Sequence, residues 1–183
     1  MANIKKTKYL GSKKIAKNTS PDDFYLDGVE NPHMDKDYVI RFSSPEFTSI
    51  CPITSQPDFG CIIVDYVPSK LILESKSFKL FLFSFRHYGG FHEDCTLKIA
   101  KKIEKFIKPK WIRVSSFWNP RGGIPIDIFY QSGEKPSNLH VEDNKVKVGI
   151  NTHLTNKIVL HALKNNLIKE FKNSLEIKPE IKF

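Results

Sequence analysis

Two helix-patterned stretches lie back to back in the middle of this chain, and strand-patterned stretches stand in pairs on either side of them. In the centre, Phe78, Phe81, Leu82 and Phe85 recur at spacings of three and four. After a break at Gly89-Gly90, Ile99, Ile103, Phe106 and Ile107 do the same. That is the period of a helix with one buried stripe. Ser75 is placed to cap the first helix, and Pro109 ends the second. Upstream, Tyr38, Ile40 and Phe42 alternate with Val39, Arg41 and Ser43, and Cys61–Val67 reads as a second strand extending toward Leu73. Between them, Phe47–Gly60 contains Pro52 and Pro57 and reads as a structured loop. Downstream, Trp111–Trp118 and Ile124–Gln131 read as two more strands, linked by the turn Asn119-Pro120-Arg121-Gly122-Gly123. The order strand, strand, helix, helix, strand, strand predicts an α+β fold with an antiparallel sheet, not a doubly wound parallel one.

The 183 residues suffice for one domain with a tail. Residues 1–36 read as a loop-rich basic arm, 37–149 as the folded domain, and 150–183 as a C-terminal extension of partly helical composition. Fourteen phenylalanines and a hydrophobic content of 40% exclude a wholly disordered chain. No apolar run approaches the roughly 18 residues of a membrane span, and no apolar segment follows the N-terminal lysines as in a secretory signal. No membrane partner is expected. The three cysteines cannot all pair internally and include no CxxC, so they read as cytosolic thiols, without a metal. The net charge of +9 is carried almost wholly by lysine, concentrated before Lys17 where there is no acid. Such an excess serves solubility and phosphate attraction; arginine is the commoner reader of bases, so direct nucleic-acid binding is not expected.

Four segments have residue types that can carry chemistry. Cys51 is flanked by Pro52, with Asp58 seven residues on. A thiol beside a positioned carboxyl can act as nucleophile and proton donor, although free cysteines also pack in cores. In Glu74-Ser75-Lys76-Ser77-Phe78-Lys79, two lysines three apart at a helix start suit an anion, or simply form an exposed first turn. In His92-Glu93-Asp94-Cys95, a Glu beside a His can accept the N–H groups of a heterocycle; the helix dipole also favours acids there. Arg121-Gly122-Gly123 either holds phosphate or makes a turn. There is no GxGxxG, so a dinucleotide would bind without that fingerprint.

Taken together, Cys51-Pro52-Ile53-Thr54 with Gln56-Pro57-Asp58-Phe59, then Glu74-Ser75-Lys76-Ser77-Phe78-Lys79-Leu80-Phe81, then His92-Glu93, then Asn119-Pro120-Arg121-Gly122-Gly123 closely resemble the NADPH-dependent nitrile reductases of queuosine biosynthesis, the 7-cyano-7-deazaguanine reductase (QueF) family, in its single-module form. The resemblance runs from about Phe47 to Phe129. It implies the tunnelling fold (T-fold), a four-stranded antiparallel sheet with two helices in ββααββ order. It implies a homo-oligomer, in the form of two stacked rings, with active sites at subunit boundaries. It implies that Cys51 attacks the nitrile carbon to form a thioimide and that Asp58 protonates the nitrogen. Leu73, Glu74, Ser75, His92 and Glu93 would hold the deazapurine, and Lys76, Lys79, Arg121 and Gly122 the phosphates of NADPH. Covalent catalysis suits a nitrile, which is a poor hydride acceptor. Cys95 would lie near the pocket, where a reversible disulfide with Cys51 would guard the nucleophile. The alternatives are a T-fold zinc enzyme of the cyclohydrolase type, with ligands among His87, His92, Cys51 and Cys95, and a basic nucleic-acid-binding module, which predicts salt-sensitive affinity.

Overall fold

The computed structural model describes residues 20–141. In chain order the elements are β1 (Gly28–Glu30), β2 (Ile40–Ile50), β3 (Pro57–Val67), β4 (Leu71–Leu73), α1 (Ser75–Phe83), a 3₁₀ turn over Ser84–His87, α2 (His92–Ile107), β5 (Trp111–Arg121) and β6 (Ile124–Gly133). The four long strands form one antiparallel sheet in the order β2-β3-β5-β6, and the short strands β1 and β4 pair separately. This is the ββααββ order that the sequence pattern predicts, with one short strand pair added.

Both helices pack on one face of the sheet. Phe78, Phe81 and Phe85 from the first helical segment, and Ile99 and Ile103 from α2, bury against Ile62, Val64, Tyr66, Ile112 and Val114. Each such side chain contributes about 1.5–3 kcal/mol when fully buried. On the opposite face the buried Asp65 carboxylate pairs with Arg41 at 2.5 Å and Arg113 at 3.0 Å. Further along that face Phe117 meets the exposed Phe129 edge-on.

Several boundaries differ from the sequence pattern. Phe47–Ile50 and Pro57–Gly60 are strand, not loop; only residues 51–56 turn the chain. Pro57 is tolerated as the first residue of its strand. β3 stops before Pro68, and Leu71–Leu73 pair with β1 instead of continuing β3. The cap of α1 is Glu74, not Ser75: the Glu74 carboxylate reaches past one residue to accept from the amides of Lys76 at 2.9 Å and Ser77 at 2.7 Å. Residues 20–36, where only loop signals are visible, supply β1 and the core side chains Phe24 and Leu26. The lysine-rich opening and the C-terminal extension lie outside the described residues.

Two irregularities set which way the site residues point. β2 and β3 pair as Ser44 with Ile62 and then as Phe47 with Gly60, so β2 carries one extra residue around Pro45-Glu46. β5 and β6 pair as Trp118 with Ile126 and then as Arg121 with Ile124, so β5 carries one around Asn119-Pro120. Successive side chains of a strand alternate faces, and one extra residue exchanges them. Beyond the first bulge the odd-numbered Phe47 and Ser49 turn to the helix side. Beyond the second, Arg121 joins Trp118 on that side.

Candidate active site

The loop 51–56 closes the β2–β3 hairpin through two backbone bonds. The Cys51 amide donates to the Gln56 carbonyl at 2.8 Å, and the Ser55 amide donates to the Cys51 carbonyl at 3.0 Å. Ser55 takes a positive φ of 55° to complete the turn. The loop thus presents the Thr54 hydroxyl and the amides of Thr54 and Ile53 to the Cys51 sulfur. These hydrogen bonds, Thr54 hydroxyl foremost, with Arg121 adding its charge, hold the partly exposed thiol down at about 7. At neutral pH much of it is thiolate, the nucleophilic form.

Asp58 lies one residue into β3, directly opposite Ser49, and its side chain is buried. Oδ1 stands 2.8 Å from Nη1 of Arg121, and Oδ2 stands 3.3 Å from Nε2 of His92. Arg121 reaches further, donating from Nη2 to Gln56 Oε1 at 2.7 Å and to Thr54 Oγ1 at 3.3 Å. One guanidinium therefore ties the loop, the acid and the sulfur together. The imidazole of His92 lies flat on the indole of Trp118, with ring centroids 4.1 Å apart and planes 12° apart. The structure thus gathers Cys51, Asp58, His92 and Arg121 at one end of the sheet. Glu93 is exposed in the first turn of α2 beside them. Gly122 and Gly123, at φ 60° and 84°, form the two-residue hairpin turn just beyond Arg121. Cys95 is a free thiol like Cys51, wholly buried and pushed up to about 12 by desolvation.

Leu73, Glu74 and Ser75 lie elsewhere. The Leu73 amide donates to the Tyr66 hydroxyl at 3.0 Å, which places the start of α1 at the Tyr66 end of β3. Asp58 is eight residues back along that strand, roughly 26 Å away at about 3.3 Å per residue. Leu73 is buried in the core, Glu74 is committed to its cap, and Ser75 is exposed. Two of the first-turn amides that the sequence offers to a phosphate, those of Lys76 and Ser77, are thus filled by Glu74. Lys79 is exposed and, with Ser44, Glu46, Thr48 and Arg86, lines a cavity of about 150 Å³ beside the β2 bulge.

The sequence pattern assigns no role to Thr54, Gln56 or Trp118. The first two stand in the same loop motif as Cys51 and are legible as its neighbours; Trp118 has no signal beyond strand alternation. Among the described residues, no three His, Cys, Asp or Glu side chains converge to hold a metal ion. No described helix is long and apolar enough to cross a membrane.

A family model described as QueF-like protein matches residues 57–137. An NADPH-dependent 7-cyano-7-deazaguanine reductase of Rhodopseudomonas palustris (strain BisA53) is 57% identical over 129 residues, covering 70% of this chain and 79% of the relative. Another so named, from Brucella anthropi, is 48% identical over 145 residues, covering 77% of this chain and 94% of the relative. The apo crystal structure of an archaeosine synthase QueF-Like superposes with a TM-score of 0.50 at 23% identity, covering 54% of this chain and 96% of that one. That likeness concerns the fold.

Proposed function

This chain belongs to the NADPH-dependent 7-cyano-7-deazaguanine reductase family, and from that membership we propose that Cys51 is its nucleophile and Asp58 its acid. The enzyme is an NADPH-dependent oxidoreductase that reduces the nitrile of 7-cyano-7-deazaguanine in queuosine biosynthesis. The observation that carries the assignment of residues is the Arg121 guanidinium, which faces both the Cys51 sulfur and the Asp58 carboxyl.

The Cys51 thiolate attacks the nitrile carbon, a sulfur–carbon bond forms, and the triple bond becomes a double bond. The electron pair displaced onto nitrogen takes a proton from Asp58, giving a thioimide. Asp58 is left as a carboxylate, and Arg121 at 2.8 Å neutralises it. Bound NADPH would supply hydride to the carbon, twice per nitrile. After the first hydride the sulfur–carbon bond breaks, its electron pair returns to Cys51 as thiolate, and an imine is left; that carbon receives the second hydride while the nitrogen takes a second proton from Asp58, reprotonated by solvent, and the product is the amine. Glu93 accepts the N–H groups of the deazapurine, and His92 spans the gap between that base and Asp58. The donor set suits a phosphate-rich cofactor: Lys76 and Lys79 are cations on α1, and Arg121 keeps 36% of its side chain exposed beside the Gly122 turn.

The pocket is completed by a second copy of the chain. Leu73–Ser75 and Cys51 stand at opposite ends of one protomer's β3, too far apart to share a small planar substrate. Among the described residues β2 and β6 each pair on one side only, so both sheet edges are open to another copy. A homo-oligomer that brings the α1 start of one protomer to the Cys51 loop of its neighbour satisfies both observations.

The test is NADPH oxidation with 7-cyano-7-deazaguanine, with Cys51→Ala as control. Two NADPH are consumed per nitrile, and intact mass shows an adduct on wild type alone. Amine formation by Cys51→Ala at the wild-type rate overturns the assignment.

A further inference from the structure

His92 is held at two points, and both restraints begin at Trp118. Its imidazole is pressed flat on the indole, 4.1 Å between centroids. Its carbonyl accepts from Thr96 Oγ1 at 2.7 Å. Thr96 Oγ1 is 2.7 Å from Ser116 Oγ, which accepts from the indole Nε1 of Trp118 at 3.0 Å. A hydroxyl has one proton. Thr96 spends its proton on His92, so Ser116 must donate to Thr96. The chain of bonds therefore runs one way, from indole N–H through Ser116 and Thr96 to the His92 carbonyl. Thr96 and Ser116 are fully buried and Trp118 is 3% exposed, so no water competes with these bonds.

Trp118 is itself fixed on its other sides. Phe47 meets it edge-on at 5.5 Å. Gly60 lies directly opposite in the sheet, and a Cβ there would come within 3.3 Å of the indole Cε3. The indole thus lies between the Phe47 ring, the Gly60 backbone and the His92 ring. Its plane sets the plane of His92, whose Nε2 meets Asp58 Oδ2 at 3.3 Å.

Resting on the reductase reading above, we propose that Trp118 is a positioning residue for nitrile reduction. Through stacking, and through Ser116 and Thr96, it holds His92 so that Nε2 stays on Asp58 and keeps the carboxyl aimed at the nitrile nitrogen. It touches neither substrate nor cofactor. Everything it contributes to turnover passes through His92.

The test is a double-mutant cycle between Trp118→Leu and His92→Ala, read as kcat for NADPH oxidation with the nitrile. Misplacing a reacting group by about 1 Å costs about 10²-fold. Trp118→Leu alone is expected to lose kcat on that scale with little change in the KM for the nitrile. Trp118→Phe, which keeps a stacking ring, should recover most of it. In a His92→Ala background Trp118→Leu should cost nothing further. A cost that is equal in both backgrounds overturns the proposal, as does a loss expressed only in KM. If Trp118→Leu does not fold, Ser116→Ala reads the same cycle. NMR supplies a readout without turnover: the upfield ring-current shift of the His92 ring protons should vanish in Trp118→Leu and persist in Trp118→Phe. Its absence in wild type overturns the proposal. An inactive wild type that shows the shift overturns instead the reductase reading on which the proposal stands.

Discussion

Oδ1 of Asp58 and Nη1 of Arg121 lie 2.8 Å apart, and the same guanidinium hydrogen bonds the Cys51 sulfur. The nucleophile and the acid of the proposed mechanism therefore share one counter-ion. The positive charge favours thiolate at Cys51, and in that mechanism it would stabilise Asp58 once its proton has gone to nitrogen.

Alkylation reads the first half of that relationship. Thiolate forms above the pKa, so iodoacetamide should modify Cys51 at a rate that climbs as pH rises through about 7. Arg121→Ala removes a partner of the charged form, and the midpoint should move upward. Cys61 and Cys95 are both raised by burial and should stay unmodified at pH 7.5. Peptide mapping after brief labelling gives the answer, and equal labelling of all three thiols would contradict it.

Asp58→Asn addresses the second half. An amide cannot give up a proton at neutral pH, so the adduct on Cys51 should form slowly and NADPH oxidation should fail. Intact mass and NADPH absorbance separate the two steps. Unimpaired steady-state rates would remove Asp58 from the mechanism.

At Gly60, any side chain collides with the strand alongside. A Cβ would lie 2.9 Å from the Phe117 carbonyl oxygen and 3.3 Å from Trp118 Cε3. Gly60→Ala should destabilise the fold by about 1–3 kcal/mol, the usual range for overpacking. It should also lower turnover, because the displaced indole carries His92 with it. Denaturant melts and kcat, taken on the same preparation, check both.

Lys79 borders the cavity beside the β2 bulge. Lys79→Ala should raise the KM for NADPH more than it lowers saturated turnover, because a phosphate held equally in ground and transition states contributes to binding alone. The opposite split would assign that lysine elsewhere.

Mixing reports on sites shared between protomers. Cys51→Ala lacks the proposed nucleophile, and Ser75→Trp blocks the start of α1. Each should be inactive alone. Refolded together, they should regain activity, because half of the mixed boundaries carry two intact halves. No recovery would place the whole pocket within one protomer.

The alternation of Tyr38, Ile40 and Phe42 and the helical stripes through Phe81 and Ile103 were legible because each follows one period without interruption. Legibility failed where a single residue or a long side chain intervened. The bulges near Pro45 and Pro120 break the two-residue period, so Phe47–Ile50 carries no strand signature and Arg121 reads as part of a turn. Glu74 is a helix cap by reach, which short-side-chain capping preferences do not anticipate. Three-residue strands such as β1 are too brief to show any period. Cys51 and Asp58 were identified from their motif, but their common counter-ion, and the Trp118 ring under His92, come from strands far apart in sequence and needed the fold.

The extra residue in β2 is what keeps the sulfur on the helix side. Were the same sequence to pair without it, Glu46 would stand opposite Gly60 and Phe47 opposite Phe59. Phe47 and Ser49 would then turn outward to the Arg41 and Asp65 side, and the sulfur would follow them. Deleting Glu46 has no such effect, because it leaves Phe47 on Gly60; the hairpin tolerates the loss of a residue there far better than a slip of one.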